Sequence, residues 1–399
     1  MFSLMENMPQ HEFIPFCVDF DQNLETPYRK YFVSPPAGSG SVYYGEFKMS
    51  SAQKVAYAVN SIYSRDARRK LENLIRSEMP EIAMFLNAVY FSDSIIDACR
   101  THNIPIVWRM SDLHKVCASY LLYRDGHVCE DCLNHGLTMA IRNRCGGYQR
   151  SIGAALIKVA GMWLSRLRRL YKHVNYFIAP SAFTREIMIR GGFFPEKVIH
   201  MPTWISIPKT NSNSVQNSSE ILYVGRISYE KGIETLLEAF KILEYKNASL
   251  SIVGDDTTAY AQQLKAGLSK EQCKRTTFHG FQGQDKISEL FRRSACFVVP
   301  SACYENQPNV VLEGMALGRP AIVSDLGSLG EMVVHGRTGL RFEAGNARDL
   351  ANCIAELLGN PQEAYDMGTR AKEYVAVNHS MEGHLSSLQA LFEKCTLSL

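Results

Sequence analysis

Between residues 220 and 358 short apolar runs alternate with amphipathic helical patterns, and this alternation most narrows the folds open to the chain. Ile221 to Gly225, Leu250 to Gly254, Thr277 to Gly280, Cys296 to Val299, Pro320 to Ser324 and Gly339 to Phe342 read as strands. A continuous apolar run such as Cys296 to Val299 suits a strand buried on both faces. Gly232 to Leu243 sets Ile233, Leu236, Leu237, Phe240 and Leu243 on one helical face, and Ala347 to Leu358 closes the series. Strand and helix in turn make parallel pairs joined by crossovers, so this half predicts a Rossmann-like α/β domain.

The first half follows the same logic less regularly. Met1 to Met8 predicts a short helical end, His11 to Cys17 a strand, and Ser51 to Arg76 one long helix with Val55, Val59 and Ile62 at helical spacing. Ile82 to Val89 predicts a strand, Ser92 to Arg100 a helix and Ile104 to Trp108 another strand. Beyond a loop-rich stretch from Ser111 to Cys145, a long helix is expected over Ser151 to His173 and a strand over Asn175 to Ala179. Ser181 would cap a further helix, and Lys197 to Met201 would form the last strand of this half. At 399 residues the chain is longer than one core usually supports. Pro208 to Ser219 is polar, aperiodic and rich in Ser and Asn, so the domain boundary is placed there. The expected domains are residues 1–207 and 208–373, with a further helical pattern from about Tyr374 to Leu399.

Forty-three basic against forty acidic residues leave a formal charge of +3, too balanced to call for a nucleic-acid partner. Eleven cysteines, an odd number scattered through strands and helices, argue for a reducing compartment over a disulfide framework. No apolar run reaches the roughly 20 residues of a membrane span, and the first residues do not have the pattern of a signal peptide. Cys129 and Cys132 carry the two-residue gap that lets two sulfurs face one ion, and Cys117 and Cys145 flank them. The four could hold a structural zinc; equally, cysteine is a common small core residue. Arg166, Arg168, Arg169 and Lys172 gather at the end of the 151–173 helix. They suit the helix dipole, or a surface that meets anionic lipid headgroups.

Two stretches carry candidate chemistry. In SACYENQPNVVLEGMALGRP, residues 301–320, Glu305 lies in a polar loop after a strand and Glu313 lies in the helix that follows. Strand end, polar loop and helix start in that order is where open α/β sheets hold ligands. Pro308 suits the first helical position, and Asn306 or Gln307 could satisfy free amides before it. In GRISYEKG, residues 225–232, Gly225 permits a tight turn and Arg226 and Lys231 leave two cations at a strand end and helix start. A diphosphate needs such a pair; a solvated charged turn is the bland alternative.

GRISYEKG, SIVG at 251–254, HGF at 279–281, YENQP at 304–308, LEGMALGRP at 312–320 and GRTGLRF at 336–342 together resemble glycosyltransferase family 4 over residues 220–360. Those are retaining, nucleotide-sugar-dependent enzymes with the GT-B architecture, two Rossmann-like domains facing across a cleft. The resemblance implies that the first domain binds acceptor, the second binds donor, and the last helix crosses back to the first. It implies that Arg226 and Lys231 stabilise the leaving diphosphate, that Glu305 holds the transferred sugar and that Glu313 accepts the ribose hydroxyls. Gly225, Gly254, Gly280, Phe281, Asn306, Gln307, Pro308 and Leu312 would complete the donor site. The leaving phosphate would take the acceptor's proton, giving retention without a second carboxylate or a catalytic metal. The implied task is transfer of a hexose to a polysaccharide, a lipid-linked oligosaccharide or a similar acceptor, in the cytoplasm or on the inner membrane face.

Two departures qualify this. By this resemblance the chain is expected to begin inside the family's first helix, so that the N-terminal domain lacks its first strand and Gly-rich loop, roughly thirty residues of a βαβ unit. Ser111 stands where the family often has a histidine; Asp112 is kept, and His114 follows two residues later. A nucleotide-sugar-binding protein without transfer, a sugar-nucleotide epimerase and a phosphorylase are the alternatives; no lysine is singled out for the last one's pyridoxal cofactor.

Overall fold

The computed structural model describes residues 2–21, 23–34, 50–88, 91–146, 151–206 and 218–397. Two parallel sheets organise them. The first contains β1 (Ala83–Phe85) and β2 (Ile106–Arg109). After an antiparallel ribbon of β3 (Tyr123–Arg124) and β4 (His127–Val128), it is continued by β5 (Tyr176–Ala179) and β6 (Val198–His200), in the order β1-β2-β5-β6. The second contains β7 (Glu220–Val224), β8 (Ser249–Val253), β9 (Thr276–Phe278), β10 (Cys296–Val299), β11 (Ala321–Ser324) and β12 (Gly339–Phe342), in the order β12-β11-β10-β7-β8-β9.

The order of the second sheet reverses between β7 and β10, which pair in parallel through Cys296 with Ile221 and Phe297 with Leu222. At such a switch point the two following loops diverge to opposite faces and open a crevice. GRISYEKG leaves β7 and SACYENQ leaves β10, so the two candidate stretches flank that crevice. β10 is buried along its whole length. Cys296 and Val298 join one apolar core with Ile221 and Tyr223, while Phe297 and Val299 join another with Leu222, the period-two alternation of a strand covered on both faces.

The first sheet rests on a core with an aromatic centre, where Trp108, Tyr171, Phe177 and Phe193 pack together. Several expectations here need correction. Residues 11–17 form no strand: Pro15 has no N–H to give a ladder, and pairing shrinks to a single bridge between Val18 and Val33. Among the described residues none before Phe13 forms a strand; the helix Phe2–Asn7 stands there instead. The expected 51–76 helix is two, Ser51–Ile62 and Arg65–Glu78, because Tyr63 turns extended and Ser64 caps a new start by accepting from the Ala67 amide at 3.1 Å. The expected 151–173 helix stops at Leu167; Arg169 adopts a left-handed φ of 53° and a 3₁₀ turn, Leu170–His173, follows.

The linker expected over 208–219 lies mostly outside the described residues. Ile205, just before it, packs against the second domain's core. At the other end, helix Pro361–Asn378 stays with the second domain, its Gly368 close against the Gly318 carbonyl. Helix Met381–Thr396 then lies on the first sheet, where Leu388, Leu391, Phe392 and Cys395 pack with Val107, Ile178 and Met201. The rings of His379 and His384 hydrogen-bond the carbonyls of Thr203 and Pro202, each at 2.8 Å, tying that crossing to the linker.

Candidate active site

Glycines set the floor of the crevice. The Gly225 amide donates to Val253 and the Gly254 amide to Gly280, both at 3.0 Å, so the ends of β7, β8 and β9 lie backbone against backbone. A Cβ on Gly254 would sit 2.1 Å from the Gly225 carbonyl oxygen, which only glycine avoids. Gly232, at a φ of 67°, closes the GRISYEKG loop onto the end of β10, where a Cβ would lie 1.8 Å from the Pro300 carbonyl oxygen. That contact carries Lys231 across to the β10 loop.

There Lys231 Nζ lies 2.5 Å from Glu305 Oε1, and Ser301 Oγ donates to the same oxygen at 2.6 Å. Both side chains are mostly buried. The structure thus joins the cation expected at the diphosphate to the carboxylate expected at the sugar, so that each offsets the other's burial. Arg226 points outward, 61% exposed, with Nη2 3.3 Å from Oε1 of the buried Glu230.

The polar step after Glu305 differs from expectation. Pro308 is the cap residue before helix Asn309–Ala316, not its first turn, and no side chain caps that helix. Asn306 and Gln307 reach the other domain instead. Asn306 Nδ2 donates to the Met110 carbonyl at 2.7 Å, Thr184 Oγ1 donates to Asn306 Oδ1 at 2.7 Å, and the Thr203 amide donates to Gln307 Oε1 at 2.7 Å. Tyr304 adds a bond from its hydroxyl to Glu130 Oε1 at 2.9 Å, and Glu130 is also paired with Arg190. Tyr304, Asn306 and Gln307, on either side of Glu305, thus form a clasp between the domains.

Glu313 lies in the next helix with Gln284 as hydrogen-bond partner, and burial pushes its carboxyl above the ordinary glutamate range. It lines a cavity of about 560 Å³ between the domains, together with Gln284 and Ser288 from the second and Leu86 and Arg109 from the first. Arg226, Lys231 and Glu305 are not among its walls. Phe281 is 86% exposed beside Gly280, whose φ is 66°. Leu312 must be withdrawn as a ligand contact: it is 1% exposed, packed in the core beneath β10.

In the first domain, Ser111 Oγ donates to the Leu86 carbonyl at 2.5 Å. Asp112 is hydrogen-bonded to both the backbone amide and the ring of His114. Burial pushes Asp112 up, but His114 overrides it and holds the carboxyl below its usual range. Burial, with the charge of Lys115, lowers His114. His114 therefore turns inward, near Trp108, as a support for Asp112. Among the described residues no group of three or more His, Cys, Asp or Glu is arranged to hold a metal ion, and this includes Cys117, Cys129, Cys132 and Cys145. Cys132 and Cys145 pack instead against a small apolar core of Ala118, Leu137, Ala140, Val159 and Met162. Burial, with Cys117, Cys145 and Cys129 nearby, pushes Cys132 up to about 12. From the same insertion Glu130, between two of those cysteines, reaches Tyr304 of the second domain. Sequence reasoning missed Arg109, Glu130, Thr184, Thr203 and Gln284, since each gains its meaning from a partner far along the chain.

The family model described as glycosyl transferases group 1 matches residues 207–374. An uncharacterized glycosyltransferase of Methanocaldococcus jannaschii is 36% identical over 160 residues, 40% of this chain and 38% of that protein. The chain spans about two fifths of the length of the first curated relatives it matches. Among solved structures, sucrose-phosphate synthase from Thermosynechococcus elongatus superposes with a TM-score of 0.69 at 17% identity, covering 96% of this chain and 89% of that one. Anabaena HepE in complex with UDP gives 0.62 at 16% identity, covering 82% of both chains. Residues 207–374 are therefore similar to the glycosyl transferases group 1 family, and the chain as a whole carries the GT-B fold of two Rossmann-like domains.

Proposed function

We propose that this chain is a retaining glycosyltransferase that moves a hexose from a nucleotide-sugar donor to a saccharide or lipid-linked acceptor. The observation that carries the reading is the meeting of Lys231, Ser301 and Glu305 at the β7–β10 switch point, with Asn306 and Gln307 clasping the acceptor-side domain over it. As the donor enters, its diphosphate takes Lys231 and Arg226, and Glu305 is released to the hydroxyls of the sugar. Lysine supplies a point charge and arginine a fork, so developing charge on the leaving diphosphate is met without a catalytic metal. The leaving phosphate accepts the acceptor's proton on the same face of the sugar, which retains configuration. Glu313 accepts the ribose hydroxyls, with Gly280 and Phe281 at the base. That the HepE neighbour was solved in complex with UDP supports a nucleotide as ligand.

The acceptor is met at the inner face of a membrane in this reading. No helix among the described residues is long and apolar enough to cross one. Helix Ile152–Leu167 nevertheless exposes Ile152, Leu156, Trp163 and Leu167 at helical spacing. Its basic end contributes less than expected. Arg168 pairs with the buried Asp97 at 2.6 Å, and Arg166 donates to the Gly191 carbonyl at 3.0 Å.

A second reading, binding without transfer, is favoured by Ser111 standing where the resemblance puts a histidine. One experiment separates the two: a thermal-shift screen of nucleotide sugars, then hydrolysis and transfer with the donor that stabilises most. Glu305→Ala should abolish turnover and spare nucleotide binding, whereas Glu313→Ala should weaken the nucleotide itself. A chain that binds a donor but never turns it over leaves the second reading standing; equal effects of both variants on binding and turnover refute the division of roles.

A further inference from the structure

Arg109 ends β2 at the rim of the cleft. Its Nη2 donates to Thr203 Oγ1 at 2.8 Å and its Nη1 reaches Ser111 Oγ at 3.4 Å. Both partners are neutral hydroxyls, and among the described residues no carboxylate offsets the charge. A guanidinium carries about five N–H donors, and these bonds use two of them. Burial alone acts on this arginine, pushing its pKa down, so the protein holds a cation at a cost that no internal anion repays. Two other cations of the same domain are different: Lys115 is paired with Asp93, and Arg168 with Asp97.

Arg109 opens on the 560 Å³ cavity that also holds Glu313. Its walls mix apolar groups, among them Met84, Leu86, Trp204 and Ile205, with the polar Thr203, Ser206 and His384, and Gln284 and Glu313 face in from the second domain. A cation with no carboxylate partner among the described residues, in a cavity whose walls are partly apolar, fits an anion attached to a less polar body. Thr203 and Ser111 orient the fork from the linker and from the loop after β2.

We propose that Arg109 is an anion-binding residue of the cleft, taking a phosphoryl group of the bound ligand from the first domain while Glu313 acts from the second. The inference rests on the glycosyltransferase reading. The phosphoryl group has two sources there, the diphosphate of the donor and the phosphate of a lipid-linked acceptor. Calorimetric titration of the wild type, Arg109→Gln, Arg109→Lys and Glu313→Gln tells them apart, using UDP, GDP and ADP, their nucleosides, and farnesyl phosphate. If the donor is the source, R109Q loses roughly ten- to a hundredfold in affinity for the nucleoside diphosphate, as for a charge-assisted bond, and none for the nucleoside. If the acceptor is the source, farnesyl phosphate shows that loss and the nucleoside diphosphate does not. R109K should recover part of either, an ammonium replacing the fork as a point charge. Unchanged binding of both phosphate ligands in R109Q overturns the proposal, and so does an equal loss for nucleoside and nucleoside diphosphate, which would mark a merely structural arginine. Should R109Q fail to fold, R109K carries the test: weaker phosphate binding with nucleoside binding intact supports it, and no change overturns it. Failure of the underlying reading looks different, because the wild type would then bind no nucleoside diphosphate and E313Q would change nothing; a wild type that binds neither class of phosphate overturns both.

Discussion

Asn306→Ala tests whether the clasp between the domains is a cooperative device. The side chain of Asn306 makes two bonds to the first domain, to the Met110 carbonyl and from the Thr184 hydroxyl, each at 2.7 Å. A neutral hydrogen bond contributes about 0.5–1.5 kcal/mol net, so the pair contributes about 1–3 kcal/mol to the closed arrangement. That corresponds to a roughly 5- to 150-fold change in the closing equilibrium. The reporter is the Thr203 amide, which donates across the same gap to Gln307 Oε1 and is not touched by the substitution. Hydrogen exchange resolved to the segment around Thr203 should therefore accelerate by that factor in N306A, because opening exposes both contacts together. Thr184→Val should produce part of the same acceleration, and the double variant should fall short of the sum. Exchange at Thr203 that is unchanged in N306A would refute the cooperative clasp and leave Asn306 and Gln307 as independent contacts.

Two further outcomes are expected. Burial raises the Glu313 carboxyl, so its folded form favours the proton; as pH falls through that raised value the ribose ligand is lost, and nucleotide affinity should decline at a higher pH than an ordinary glutamate would give, with Glu313→Gln removing the dependence. The same sign means that Glu313 favours folding at low pH and that this contribution is lost as pH rises through its folded pKa. Gly232→Ala combines a left-handed backbone, which costs a side-chain-bearing residue about 1–2 kcal/mol, with a Cβ 1.8 Å from the Pro300 carbonyl oxygen. Its urea midpoint should fall, and donor affinity with it, since the loop that carries Lys231 must lift off β10; a variant with unchanged midpoint and unchanged affinity would show that the loop tolerates the shift.

The alternation of strand and helix was legible because both periods are local. Cys296 to Val299 and Gly339 to Phe342 appear at the expected residues, since an apolar run needs no distant partner to declare itself. Helix breaks were harder. Ser64 and Arg169 interrupt patterns whose apolar spacing continues past them, and a break depends on backbone angles that the spacing does not record. The strand expected at residues 11–17 failed because β propensity describes a fit to a neighbouring strand, and none is paired there.

Residue types and their local order, in GRISYEKG and SACYENQP, were enough to place Arg226 and Lys231 between a strand end and a helix start and Glu305 in the loop after a strand, while nucleotide-sugar chemistry was implied by the family resemblance. Only the tertiary structure decided their partners. It put β7 beside β10, so that Lys231 met Glu305 across 74 positions of chain. It turned Asn306 away from its own helix to a carbonyl 196 positions earlier, turned His114 inward, and left Arg109 facing a cavity with no carboxylate partner among the described residues. Hydrogen-bonding side chains such as Asn, Gln and Arg can serve several neighbours equally well. Which one they serve depends on what folding brings within about 3 Å, and no local pattern encodes that distance.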